Sequence, residues 1–239
     1  MTSVLTCAVC PMYRFNLCSA VSNACERSAQ TLELAPLSSS TYTIPARRLI
    51  SHPREQSDFV SIICNGWAAS SIDLSDGRRQ TLSFLMAGDL VSVTYLLEPM
   101  MGRSVEAITP VTCRKYRRND LKAILFQHQA VLEKLSEIWN EERAQADQLA
   151  LDLGRRTAEA RIARLILRLA DKAEKRGMKR GSTMEFPLRQ WHIADATGLT
   201  PVHVSKVLSL FRHNDLVEIS DRSLKILNNN ELRRTAEWY

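Results

Sequence analysis

The segment Gln190–Ser209 reads QWHIADATGLTPVHVSKVLS, and its reading decides the fold around it. Ala194 takes the fifth of its twenty positions, where only a small side chain lets two helices cross closely. Gly198 takes the ninth, where the chain has to turn with positive φ. Ile193, Leu199, Val204 and Val207 fall at the apolar positions that clamp two short helices together. The spacing predicts a helix-turn-helix whose second helix runs from Pro201 to about His213, with Thr200 as N-cap and proline in the first turn. A helical hairpin inside an enzyme meets the same packing demands, but it leaves the basic character of the region unexplained.

In a helix-turn-helix the second helix enters the major groove, N-terminal end first. The outward residues here are Val202, His203, Ser205 and Lys206. Lys206 can donate to guanine O6/N7 or to a phosphate, His203 and Ser205 can bond base edges or backbone oxygens, and Val202 can pack on a thymine methyl. Thr200 stands at the entry of the helix, and Arg212 near its end is placed for phosphate or for solvent. Downstream, Leu216–Ile219 and Leu224–Leu227 flank Ser220-Asp221-Arg222-Ser223. That pattern predicts a hairpin wing, with Arg222 at its tip for phosphate.

Charge agrees with this placement. The net charge is +6, yet residues 1–153 carry 15 basic and 16 acidic side chains, and residues 154–239 carry 17 and 10. The positive excess therefore sits in the last third, as an electrostatic footprint for a polyanion requires. A solvated basic helix face accounts for the same numbers. No stretch is long and apolar enough to cross a bilayer. The N-terminus lacks the basic and apolar regions of a secretory signal, so the chain is read as cytoplasmic, with no membrane partner.

Upstream the texture changes twice. Residues 37–45, LSSSTYTIP, read as a loop. From about 47 to 118, short β-like runs (Phe59–Cys64, Trp67–Leu74, Arg79–Leu85, Glu106–Cys113) alternate with turn signals at Asn65-Gly66, Ser75-Asp76-Gly77 and Ala87-Gly88-Asp89. This predicts a compact β-barrel or jelly-roll-like domain. From Asn119, the expected cap, to Leu153 there is no Gly or Pro, which predicts one long helix. Leu132, Trp139, Ala146 and Leu153 recur every seven residues, with Leu135, Glu142 and Leu149 three residues after the first three. The stripe serves either packing on the helix's own domain or a parallel dimer seam, with Glu142 as its charged defect. Gly154 interrupts the pattern as a candidate hinge. A second amphipathic helix over 156–175 turns Ala158, Ile162, Leu165, Ile166 and Leu169 to one face and Arg161, Arg164, Arg168 and Lys172 to the other.

Four of six cysteines (Cys7, Cys10, Cys18, Cys25) fall in the first 25 residues; Cys64 and Cys113 are the others. In a cytosolic chain such density points to metal or redox chemistry rather than disulfides. Cys7-Ala-Val-Cys10 lets two thiolates reach one metal from a single turn, and Cys18 can supply a third. A tetrahedral zinc or a four-iron cluster needs a fourth ligand, and spacing does not choose among Cys25, Cys64 and Cys113. Cys64, in its β-like run, is expected as a buried core thiol.

A β-rich N-terminal domain, a long helix and a C-terminal winged helix together resemble the Crp/Fnr family of bacterial transcription regulators. The stretches that carry the resemblance are Gly88-Asp89-Leu90-Val91, Thr157-Ala158-Glu159-Ala160-Arg161, and Gly198-Leu199-Thr200 through Phe211. The resemblance implies an α+β chain with four parts: a cluster-binding segment (1–28), a cyclic-nucleotide-binding-type β-roll (29–118), a dimerisation helix (119–153) and a winged helix-turn-helix (154–239). It implies a homodimer on palindromic operator DNA, acting with RNA polymerase. It also implies a [4Fe-4S] cluster on Cys7, Cys10, Cys18 and Cys113, with Cys25 as a spare. An intact cluster would favour dimer and operator binding, and oxygen or nitric oxide would reverse it. The alternative within the family is a cyclic nucleotide or other small effector held at Gly88, Asp89, Arg103 and Ser104, where Arg103 matches the place that grips phosphate. The sequence carries no P-loop, GxSxG, HExxH or paired His/Cys nucleophile, so a non-enzyme is expected.

Overall fold

The computed structural model describes residues 17–21, 23, 39–93, 96 and 102–237. Cys7, Cys10 and Cys25 lie outside the described residues. The chain divides into two compact units, one comprising 1–73 with 83–144 and the other 74–82 with 145–239.

The first unit is built on two antiparallel sheets. One has the order β1(Ser39–Ile44), β7(Val111–Arg117), β3(Phe59–Asn65). The other sheet has the order β2(Leu49–Ser51), β6(Ser104–Ala107), β4(Ala68–Asp73), β5(Arg79–Leu85), the last strand crossing the boundary between units. The Asn65-Gly66 turn forms as expected. Gly66 has φ +90°, and a Cβ there would sit 2.3 Å from the Pro110 carbonyl oxygen, so no other residue fits without moving the strand. Within the expected loop at 37–45, Ser39–Ile44 is a strand that pairs with β7, from Ser39 opposite Tyr116 to Ile44 opposite Val111. The Ser/Thr-rich composition hid an alternation that directs Tyr42 and Ile44 towards the core.

The predicted single helix is two. α1(Arg118–Gln127) starts after Arg117, so Asn119 lies inside the first turn and is not the cap. His128 is extended (φ −128°, ψ 102°) and breaks the helix before α2(Gln129–Arg155). Gly154 does not end α2, which runs on to Arg155. The stripe divides its work between its two rows. Leu135 is 4% exposed and Leu149 9%, whereas Leu132 and Trp139 are 48% and 47% exposed. One row packs inward and the other faces out.

In the second unit, α3(Ala158–Lys175) begins at Thr157, whose side chain accepts from the Ala160 amide, and carries Glu159 in its first turn and Lys172 and Lys175 in its last. Ile162, Leu165, Ile166 and Leu169 are buried, each worth roughly 1.5–3 kcal/mol of transfer free energy. The opposite face is not a solvated basic surface. Arg164 is itself buried, and its Nε lies 3.0 Å from Asp152 Oδ1. Arg156 pairs with the same carboxylate. Arg168 is pushed below its usual pKa by burial, with Asp152 opposing the shift. Part of the positive excess is thus consumed internally. Residues 176–181 are more than a turn: β8(Lys179–Arg180) and β9(Thr183–Glu185) extend the wing into a four-stranded sheet, order β10-β11-β9-β8, with β10(Val217–Ser220) and β11(Ser223–Ile226). The chain ends on α6(Asn229–Thr235), capped by Asn228. Among the described residues no helix is long and apolar enough to cross a membrane.

Candidate nucleic-acid interface and candidate ligand cysteines

α4(Gln190–Thr197) and α5(Pro201–His213) form the helix-turn-helix where the sequence puts it. Gly198 has φ +66°, and a Cβ there would lie 2.9 Å from Leu153 Cδ2, so its small size also lets the end of α2 pack on the turn. Ile193, Ala194, Val204 and Val207 are buried. Thr200 Oγ1 accepts from the His203 amide and Pro201 opens α5. That cap uses the Thr200 hydroxyl oxygen locally and fixes the first turn of the helix.

The face of α5 that remains open is the predicted one. Val202 is 67% exposed, His203 and Lys206 are exposed, and Ser205 is partly so. An apolar side chain this exposed, flanked by two donors on the first turns of a capped helix, fits base-edge readout. Arg212 is exposed and donates to Ser209 Oγ at 3.1 Å. The wing turn holds Asp221 (φ 45°) and Arg222 (φ 60°) in left-handed conformations, as a two-residue hairpin turn demands. Arg222 is exposed at its tip.

Two positioning residues escape sequence reading. Arg161 donates from Nε to the Arg156 carbonyl at 2.9 Å, from Nη2 to Leu153 at 3.0 Å and from Nη1 to Thr197 at 3.2 Å. One guanidinium thus satisfies carbonyls at the end of α2 and at the end of α4. Its partners are backbone atoms, so no residue pattern announces them. His192 Nδ1 accepts from the Arg189 amide at 2.9 Å, holding a free donor at the start of α4. Burial first, then the charges of Arg189 and Arg79, push His192 down to about 4, so it is neutral and keeps that lone pair.

Of the predicted cluster ligands, Cys18 and Cys113 are described. Both are buried, in one apolar core. Cys18 Sγ lies 3.8 Å from the Tyr116 hydroxyl. Cys113 sits on β7 opposite Tyr42 and Ile63, and desolvation pushes its thiol up to about 12. Alternation along β7 puts Tyr116 on the other face from Cys113, so the described contact of Cys18 is away from Cys113. The thiol whose charge acts on Cys113 is Cys64, which is only partly buried rather than a core thiol. Among the described residues no group of three His, Cys, Asp or Glu side chains is placed to hold a metal ion. Cys18 and Cys113 are soft sulfur donors of the kind an iron–sulfur centre takes, but a ligand has to be a thiolate, and burial holds Cys113 as the neutral thiol in this arrangement.

The candidate effector residues are internally engaged. Asp89 Oδ2 accepts from the Met86 amide at 2.8 Å, within the Ala87-Gly88-Asp89 turn. Ser104 Oγ lies 3.1 Å from Asp73 Oδ2 and 3.1 Å from Ser71 Oγ. Arg103 Nη2 is 3.4 Å from both Ser92 Oγ and Glu142 Oε2.

A β-roll followed by a long helix and a winged helix-turn-helix with an open recognition face defines a two-part DNA-binding regulator. The sequence matches the cyclic nucleotide-binding domain over residues 43–128 and the Crp-like helix-turn-helix domain over 160–235. The chain belongs to the Crp/Fnr family of transcription regulators. It is 27% identical to the transcriptional activator protein FnrL of Cereibacter sphaeroides, over 90% of this chain and 85% of the relative. It is 31% identical to the nitrogen fixation regulation protein FixK of Rhizobium meliloti, over 67% of this chain and 70% of the relative. The solved structure of FixK2 from Bradyrhizobium japonicum superposes with a TM-score of 0.75 at 25% identity, covering 83% of this chain and 98% of that one.

Proposed function

We propose that the chain is a transcriptional activator that binds palindromic operator DNA as a homodimer, engages RNA polymerase, and senses oxygen or nitric oxide through a [4Fe-4S] cluster held by Cys7, Cys10, Cys18 and Cys113. Thr200, Val202, His203, Ser205 and Lys206 face the major groove, and Arg212 and Arg222 hold the phosphate backbone. The half-exposed Leu132 and Trp139 of α2 supply the seam between two copies. When bound, the cluster supplies an oxygen-labile tie between the N-terminal segment (1–28) and the β-roll. Cys113 anchors that tie on β7, whose C-terminal end leads directly into α1 and α2. A bias of about 5.5 kcal/mol takes a two-state balance from 1:99 to 99:1, which bounds what the tie has to deliver.

The observation that carries the reading is the burial of Cys113, 0% exposed, in the same core as Cys18, 7% exposed, although 95 positions separate them. Purification without oxygen tests it. A brown protein with broad visible absorption, iron and acid-labile sulfide is expected. A colourless protein containing zinc contradicts it.

A further inference from the structure

Glu142 is the one charged residue in the a/d stripe of α2, and neither packing inward nor a dimer seam explains a carboxylate there. Its partner within the first unit does. Glu142 Oε2 lies 3.4 Å from Arg103 Nη2, with side-chain exposures of 34% and 21%. The same guanidinium nitrogen reaches Ser92 Oγ, and Ser92 is fully buried. On the adjoining strands Ser71 and Ser104 are buried and directly opposite each other, and Ser70, one residue along, is buried on the other face of β4. Ser71, Ser104 and Asp73 satisfy one another, and Ser70 Oγ is buried without a hydrogen-bond partner.

We propose that Glu142 is the built-in counter-anion of Arg103. It occupies the guanidinium that the family resemblance would give to an effector's phosphate, and so favours a β-roll that works without one. A half-buried guanidinium needs an anion, and a carboxylate tethered by the fold is present at every effector concentration. A phosphate that captured Arg103 would have to displace Glu142 and leave that carboxylate partly buried and unpaired, which opposes binding. The charged defect of the helix is therefore a specificity residue. It excludes phosphate-bearing small molecules and joins the strand end at Arg103 to α2.

The test is calorimetric titration of the full-length protein with cyclic AMP and, separately, with inorganic phosphate. The wild type takes up neither at millimolar concentration. Glu142→Gln, which keeps the shape and removes the charge, binds at least one of the two at least tenfold more tightly, and Arg103→Ala added to it abolishes the gain. Uptake of inorganic phosphate marks a bare anion site, and uptake of cyclic AMP alone marks a site completed by the nucleoside; either supports the proposal. Wild-type binding as tight as the variant's, or a folded Glu142→Gln that binds neither, overturns it. Should Glu142→Gln not fold, the charge swap decides. Arg103→Glu lowers Tm and added Glu142→Arg restores at least half of the loss, whereas no recovery overturns the proposal. The titration needs neither iron nor operator, so its failure leaves the cluster reading untouched.

Discussion

The recognition helix and the cysteine core solve opposite problems. The first keeps Val202, His203 and Lys206 exposed on consecutive turns of one capped helix, so a chemical surface is made by neighbours in sequence. The second brings Cys18 and Cys113 into one core from opposite ends of a domain and buries both. A surface that reads DNA has to be rigid and open before its partner arrives, and local capping and turn chemistry suffice for that. The proposed sensor would have to couple distant segments to a remote site, so its residues are scattered and their arrangement depends on packing.

Substitutions can break the contrast or sharpen it. The largest effect is expected in the core: Cys113→Ser removes nearly all iron and sulfide from oxygen-free protein, and Cys64→Ser leaves them in place. Equal loss in both variants would overturn the assignment of Cys113 as the fourth ligand. Next comes the joint that holds the recognition helix. Arg161→Ala frees three carbonyl acceptors and is expected to cost about 3 kcal/mol of stability, read as a fall in Tm, since hydrogen bonds from a charged group are worth roughly 1.5–3 kcal/mol each and share one side chain here. A change within about 0.5 kcal/mol, the range of ordinary surface substitutions, would show that the joint does not depend on the guanidinium. On the open face, Lys206→Ala is expected to weaken specific operator binding by about 1–3 kcal/mol in a salt-matched titration, and unchanged affinity would misplace the reading face.

The effect that leaves neutral pH untouched is a pH dependence. His192 is lowered to about 4 when folded, against about 6.5 in an unfolded chain. The unfolded state then binds more protons between these values, so stability falls as pH drops from about 6.5 to about 4 and is unaffected by His192 above that window. His192→Gln keeps an acceptor at the third helical position and is expected to flatten that slope in thermal melts. An unchanged slope would assign it to other groups.

The same contrast explains how far the sequence could be read. Gly198 and Ala194 were legible because each answers a local steric demand at a fixed spacing, and Thr200-Pro201 because a cap is a neighbour effect. The strand at Ser39–Ile44 was not, since its pairing with β7 lies some seventy residues away and its Ser/Thr content mimics a loop. Periodicity sets Arg161, Arg164 and Arg168 on the face opposite the apolar one because it records polarity, while their partners, backbone carbonyls and one buried Asp152, leave no mark in the pattern. Glu142 was visible only as a defect, and Arg103 supplies its meaning.

The most direct test joins the two regions in one experiment. Oxygen-free protein is titrated onto operator DNA, air is admitted, and iron content and affinity are followed together. The account predicts that specific affinity falls at least tenfold as the iron is lost, and that Cys113→Ser starts at the low value. Protein that holds no iron, or that loses it with operator affinity unchanged, contradicts the account.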